Sequence, residues 1–249
     1  MNPETLPVVL VTGAARRVGA EIARHLHGRG ARVVLHYRSS AAAAAALAEE
    51  LNARRAGSAH ICQADLGDVA ALARMVEATT KTCGRLDALV NNASSFFPTP
   101  LGSIDETAWN DIVNSNFKGP LFLCQAAAPY LARSGGCIIN ITDVHAERPM
   151  RGYVAYCAAK AGLFGLTRAL AVDLAPEVRV NAVAPGAIVW PDQQERFSAA
   201  EREAIVANSL LKRVGEPADI ARAVGYLMFD APYVTGQVIN VDGGRTAHL

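Results

Sequence analysis

The chain has 249 residues, 51% of them hydrophobic and 19% charged, a balance that supports a well-buried core and excludes extended disorder. Its 24 basic and 23 acidic residues leave a formal net charge of +1, and no basic stripe marks a nucleic-acid-binding face. Five scattered cysteines (Cys62, Cys83, Cys124, Cys137 and Cys157) lack Cys-x-x-Cys spacing, so they read as thiols of a reducing compartment and not as a disulfide framework or zinc site. The N-terminus has no signal-peptide pattern and no run of about 18 apolar residues could span a bilayer. The expectation is a cytoplasmic protein whose partner is a small molecule, with no nucleic acid and no membrane.

In chain order, Val8 to Thr12, Ala31 to His36, Ala59 to Cys62, Leu86 to Val90, Cys137 to Thr142, Val178 to Val183 and Gln237 to Val241 read as strands. Several are unbroken Val, Ile or Leu runs, as expected when both faces of a parallel sheet are covered. Helical patterns separate them, among them Val18 to Arg29, Ala41 to Arg55 and Val69 to Thr82. The six alanines from 41 to 46 fit a plain helix, since Ala is the best helix former. No linker or repeat divides the chain. The pattern predicts one domain over 1–249, a doubly wound α/β fold with a seven-stranded parallel sheet flanked by helices.

The first strand runs into Thr12-Gly13-Ala14-Ala15-Arg16-Arg17-Val18-Gly19 and then a helix. A Rossmann unit places its tight turn there, with the helix N-terminus facing a pyrophosphate. Gly13 permits the turn, and Gly19 permits close helix–strand packing. After the second strand comes His36-Tyr37-Arg38-Ser39-Ser40, without the carboxylate that an NAD-preferring site sets against the ribose 2′-hydroxyl. Arg38, Ser39 and Arg17 would offer charge-assisted hydrogen bonds to a 2′-phosphate, so the expected cofactor is NADPH. The alternative for Arg38 is a solvated loop charge. Asp65-Leu66 and Asn91-Asn92-Ala93-Ser94 fall at C-terminal strand ends, the edge where open α/β sheets bind ligands. Asp65 suits an adenine amino group or, equally, the cap of the helix that begins near Val69.

Tyr156 and Lys160 are four residues apart in a helical pattern from about Tyr153 to Leu174, so both side chains share a face. A fixed ammonium favours a phenolate, which predicts a Tyr156 pKa lowered by about 2 to 3 units. The irregular stretch from Gly186 to Glu201, with Trp190 and Pro191, is either a substrate lid or an ordinary surface loop.

With the turn at Gly13, Asn91-Asn92-Ala93, Tyr156 to Lys160, Pro185-Gly186 and the closing Asn240-Val241-Asp242-Gly243-Gly244, the chain resembles the short-chain dehydrogenase/reductase family over essentially its whole length. The resemblance implies that Tyr156 is the proton donor and that Lys160 also binds the nicotinamide ribose. It further implies that Asn116 props a relay water. Gly13, Arg17, Val18, Gly19, His36, Tyr37, Arg38, Ser39, Asp65, Leu66, Asn92, Ala93, Pro185 and Gly186, together with Tyr156 and Lys160, are then the expected cofactor contacts. Members usually form tetramers through the long helices near 105–133 and 153–174, so a homotetramer is expected.

Two departures narrow the resemblance. Arg17 stands where most members carry a second glycine, and Asp143 stands 13 residues before Tyr156, where the family's usual catalytic Ser sits. With Ser94-Ser95-Phe96, Pro98 to Leu101 and the His36-Tyr37 pair, these are similar to the pteridine reductase branch. That branch implies Phe96 stacked against a flat pterin held on the nicotinamide, with Ser94, Arg17, Asp143 and Tyr156 as further substrate contacts. A carboxyl at position 143 can accept from a pterin amino group or pass a proton, and it would oppose phenolate formation at Tyr156. The alternatives are Phe96 as a core residue and Asp143 as a turn cap. His145 reads as a loop residue, and the histidines show no metal spacing. A C-terminal Arg completes the site from a neighbouring subunit in some members, and here the chain ends Gly244-Arg245-Thr246-Ala247-His248-Leu249. The expected activity is NADPH-dependent reduction of a pterin or dihydropterin. The competing readings are a carbonyl or 3-oxoacyl reductase and a non-catalytic dinucleotide sensor.

Overall fold

The computed structural model describes residues 6–189 and 198–247. Seven strands form one parallel sheet in the order β3-β2-β1-β4-β5-β6-β7. They are β1 (Val8–Val11), β2 (Arg32–Tyr37), β3 (Ala59–Gln63), β4 (Ala88–Asn91), β5 (Cys137–Ile141), β6 (Arg179–Pro185) and β7 (Val238–Val241). The helices are α1 (Arg17–Gly28), α2 (Ala41–Arg54), α3 (Val69–Cys83), α4 (Glu106–Val113), α5 (Gly119–Ser134), α6 (Val154–Asp173), α7 (Ala199–Ala207) and α8 (Pro217–Gly225). The strands expected from sequence are all present, with ends shifted by a residue or two. No helix among the described residues is long and apolar enough to cross a membrane.

β1 shows why unbroken apolar runs are required. Val9 and Val11 join Ile22 and Leu26 of α1, Leu47 and Leu51 of α2 and Val224 of α8 in one core. Val8 and Leu10 point to the other face, against Leu72 and Val76 of α3 and Leu123 and Leu131 of α5. Alternate side chains of one strand therefore feed two separate cores. The chain reverses its winding direction between β1 and β4. Every loop that leaves a C-terminal strand end consequently opens onto one edge, with a crevice at that switch point.

Three local expectations are corrected. The long helix expected near 105–133 is interrupted by a π-helical turn, Asn114–Lys118, between α4 and α5. Asn, Ser and Asn are poor helix formers whose side chains bond nearby backbone, and Ser115 Oγ donates to the carbonyl of Asp111 at 2.8 Å. The cap of α3 is Asp68, which accepts from Ala71 N at 3.0 Å, while Asp65 closes a tighter turn on Gly67 N at 2.8 Å. The stretch 186–201 is not uniformly irregular: Ser198 and Glu201 form a reciprocal cap and α7 begins at Ala199. Trp190 and Pro191, central to the lid expectation, lie outside the described residues.

Candidate active site

A cavity of about 660 Å³ opens along the C-terminal strand edge, walled by residues that follow β1, β2, β3, β4, β5 and β6. Its floor is set by the turn after β1. Gly13 has φ +61°, and a Cβ there would meet the Ala93 backbone at 2.9 Å. A Cβ on Gly19 would lie 2.5 Å from Asn92 Nδ2, whose amide donates to the carbonyls of Thr12 and Gly13 at 2.9 and 3.2 Å. Helix α1 therefore approaches the strand closely only because both positions are glycine.

Arg17 opens α1 with φ +51°, a left-handed conformation that favours glycine, and its Nη2 donates to the carbonyl of Val189 at 3.2 Å. This accounts for the departure noted in the sequence, because a glycine there removes strain that a guanidinium at the cavity wall retains. Arg17→Gly should relieve about 1–2 kcal/mol of backbone strain against roughly 0.5–1 kcal/mol of added unfolded-state entropy. The melting temperature of the protein should then hold or rise by up to about 4 °C. Arg17→Ala keeps the strain and loses the guanidinium, so its melting temperature should not rise; paired thermal melts separate the two variants.

His36 is buried at the end of β2. Its Nδ1 accepts from Gly13 N at 3.2 Å, so the proton resides on Nε2, which donates to the carbonyl of Ala64 at 3.1 Å. The imidazole thus clamps the glycine turn after β1 to the end of β3. Burial pushes its pKa below the ordinary value near 6.5, against smaller opposing effects of the Ala64 carbonyl and Asp65. Above that value the ring is neutral in both folded and unfolded chains. As pH falls through 6.5 the unfolded chain takes up a proton that the fold refuses, so stability declines. The melting temperature should fall between pH 7.5 and 5.5, and by less in His36→Gln. His25 and His27 are also held low by burial, and the difference between wild type and variant isolates His36.

Asp143 follows β5 and carries two jobs at once. Oδ1 accepts from His145 N at 2.8 Å, capping the short turn Val144–Ala146, while Oδ2 accepts the phenolic proton of Tyr156 at 2.6 Å. Turn cap and proton partner are therefore the same side chain. Behind them, Ser94 Oγ donates to Asn116 Oδ1 at 2.7 Å, and Ser94 also reaches Tyr156. Asn116 Nδ2 is tied to the carbonyls of Ser95 and Ile112 at 2.9 and 3.0 Å. Two polar pairs thus meet at this point of the cavity wall, Ser94 with the buried Asn116 and Tyr156 with the half-buried Asp143.

The expected lowering of the Tyr156 pKa does not occur. Burial pushes the phenol well above its usual range, and the Asp143 carboxylate adds to this by charge and by hydrogen bonding. Lys160 Nζ instead turns to the Ile141 carbonyl at 2.8 Å and lies 5.8 Å from the Tyr156 ring centre. Burial pushes the ammonium down to about 8, with Asp143 pulling the other way. Among the described residues, Ile141 is the one acceptor it reaches, which leaves two of its three donors for whatever enters the cavity.

Phe96 lines the cavity and stacks on Tyr153 with ring centres 4.7 Å apart and an 18° tilt; its ring also meets Tyr156 edge-on at 4.8 Å. Phe97 packs with the same small core. Of the residues expected at the site, Tyr37, Ser39 and Asn116 do not reach the cavity wall, and Asn116 acts one layer behind Ser94. Reasoning from sequence missed Asp111, Met150, Ile205 and Arg245, which do. Asp111 sits in a helix that runs into the π turn and Ile205 in α7, and neither carried a local signal in the sequence. Arg245 enters its own chain's cavity, because β7 is the strand next to β6.

A family model described as enoyl-(acyl carrier protein) reductase matches residues 13–246. The chain is 39% identical to pteridine reductase 1 of Leishmania tarentolae, with 96% of each chain covered. It is 38% identical to a 3-oxoacyl-[acyl-carrier-protein] reductase of Staphylococcus aureus, covering 94% of this chain and 96% of the other. An uncharacterized oxidoreductase of Methylorubrum extorquens is 39% identical over 95% and 96% of the two chains.

Proposed function

The chain belongs to the short-chain dehydrogenase/reductase family of oxidoreductases, and from that premise we propose that it is an NADPH-dependent pteridine reductase. The observation that carries this reading is the 2.6 Å bond between Tyr156 and the carboxylate of Asp143. A carbonyl reductase needs a neutral donor at that place to hold a ketone oxygen. A pterin ring instead presents nitrogens and an amino group, for which a carboxyl is the matching acceptor and proton carrier.

The residues present fit the cofactor. The glycine turn leaves backbone room, Lys160 keeps two buried donors beside the cavity, and no carboxylate follows β2. Arg17 and Arg38 both line the cavity, where guanidinium groups suit a 2′-phosphate. When bound, NADPH supplies a hydride from its nicotinamide. Lys160, with two donors free beside the cavity, would hold the ribose hydroxyls of such a cofactor. Phe96, braced by Tyr153, offers the cavity an aromatic wall for a flat heterocycle. Tyr156 delivers one proton to the ring nitrogen next to the carbon that receives the hydride. The raised phenol pKa keeps that proton in place until it is needed. Asp143, the more exposed of the two, returns a proton to the phenol from solvent, so that each turnover takes up one proton.

The 38% identity to a 3-oxoacyl reductase favours a second reading, reduction of a 3-oxoacyl thioester. Asp143 and Phe96 oppose it, since neither matches a flexible acyl chain ending in a ketone. Following NADPH oxidation with dihydrobiopterin, dihydrofolate and an acetoacetyl thioester decides between them. Turnover with the thioester alone would overturn the pterin assignment, and turnover with none would point to a dinucleotide sensor. A homotetramer is the expected assembly, and sedimentation velocity tests it.

A further inference from the structure

Arg38 emerges from β2 with its carbonyl held by Gln63 Nε2 at 3.1 Å. Its Nη1 donates to Asp111 Oδ1 at 2.9 Å, a carboxylate on α4 that is 73 residues away in sequence. Both side chains line the cavity, at the end nearest β2 and β3. The carboxylate missing from the end of β2 is therefore supplied from the opposite wall. Asp65, the other acidic group at this end, is committed to Gly67 N, whereas Asp111 Oδ1 is spent on the guanidinium alone.

We propose that Asp111 is a specificity-determining residue: a resident counterion that occupies Arg38 until a 2′-phosphate displaces it. The inference rests on the NADPH reading above. A guanidinium is always charged and takes a carboxylate or a phosphate oxygen on the same donors. The pair is 57% and 36% exposed, a setting in which ion pairs are weak, so a dianionic phosphate wins the contest. Once displaced, the carboxylate remains close to the phosphate with like charge. Asp111 thereby holds the affinity for the phosphorylated cofactor below what Arg38 alone would give. It also speeds release of the oxidised form, and it leaves NAD(H), which has no 2′-phosphate, almost unaffected.

The test is direct titration of NADPH and NADH by fluorescence, and of NADP⁺ by calorimetry, on the wild type, Asp111→Asn, Arg38→Ala and the double variant. Asp111→Asn should tighten NADPH and NADP⁺ by about fivefold, leave NADH unchanged, and lose this advantage in about 0.5 M salt. In the Arg38→Ala background the gain should shrink, because no ion pair remains to be broken. An unchanged ratio of NADPH to NADH affinity in Asp111→Asn overturns the inference, and so does a gain of full size without Arg38. Selective weakening of NADH in Asp111→Asn would also overturn it, assigning Asp111 to the ribose 2′-hydroxyl. If Arg38→Ala itself leaves the ratio unchanged, the NADPH reading of this site fails instead.

Discussion

Replacing Tyr156 by Phe should lower turnover with dihydrobiopterin by about 10²- to 10⁴-fold, the range of a lost general acid, with the NADPH dissociation constant little changed. The ring is buried between Phe96 and Lys160, so Phe keeps the packing and removes only the hydroxyl. What disappears is the donor to Asp143 Oδ2, while the Ser94–Asn116 bond is untouched. The carboxylate then faces the cavity without its 2.6 Å donor, which leaves Asp143 as the remaining proton source at poor range. Stopped-flow measurement of NADPH oxidation, with binding followed separately by fluorescence quenching, distinguishes lost chemistry from lost binding. Wild-type-like turnover in this variant would remove Tyr156 from the reaction.

Asp143→Ser should have the second largest effect and a different character. It exchanges a charged acceptor for a neutral donor beside the phenol of Tyr156. Pterin reduction should fall by about 10²- to 10³-fold. The phenol, freed of the adjacent carboxylate, should titrate lower, since two of the effects that raise it come from Asp143. Reduction of an acetoacetyl thioester should appear or rise. The pH profile is the independent readout: its alkaline limb should move down in the variant together with the Tyr156 pKa. A profile that does not move would mean that Asp143 acts only as the cap of the turn over Val144–Ala146. Asp143→Asn is the control, because it keeps the cap and removes the charge.

The fold was readable because a parallel sheet covered on both faces writes itself as apolar runs, and β1 and β5 are wholly buried. The turn at Gly13 was readable for a similar reason: its backbone geometry admits few residues. Pairwise chemistry across the chain was less accessible. Nothing near Arg38 announces Asp111, and nothing near Asp143 says that its two oxygens have different partners. The opposing effect of Asp143 on the Tyr156 phenol was legible, whereas the pull of Lys160 was overstated, because helical spacing brings Lys160 to the same face but does not say where its ammonium ends. The buried Ile141 carbonyl at the end of β5 captures it. Burial then decides the pKa, and burial is a property of the folded whole.

The π-helical turn at Asn114–Lys118 carries a consequence of another kind. A turn of this type holds one residue more than the α-helical path it replaces, and each residue of an α-helix advances about 100° around the axis. Helices α4 and α5 are thus out of register by one residue, and Asn116, which bonds Ser94, lies inside the turn that makes the offset. The positional information here resides in an insertion and not in a side chain. Removing one residue from this turn would let a continuous helix form while rotating everything on one side of it. Substitutions would therefore sample this part of the site poorly, and single-residue deletions and insertions are the changes that would divide one lineage of such enzymes from another.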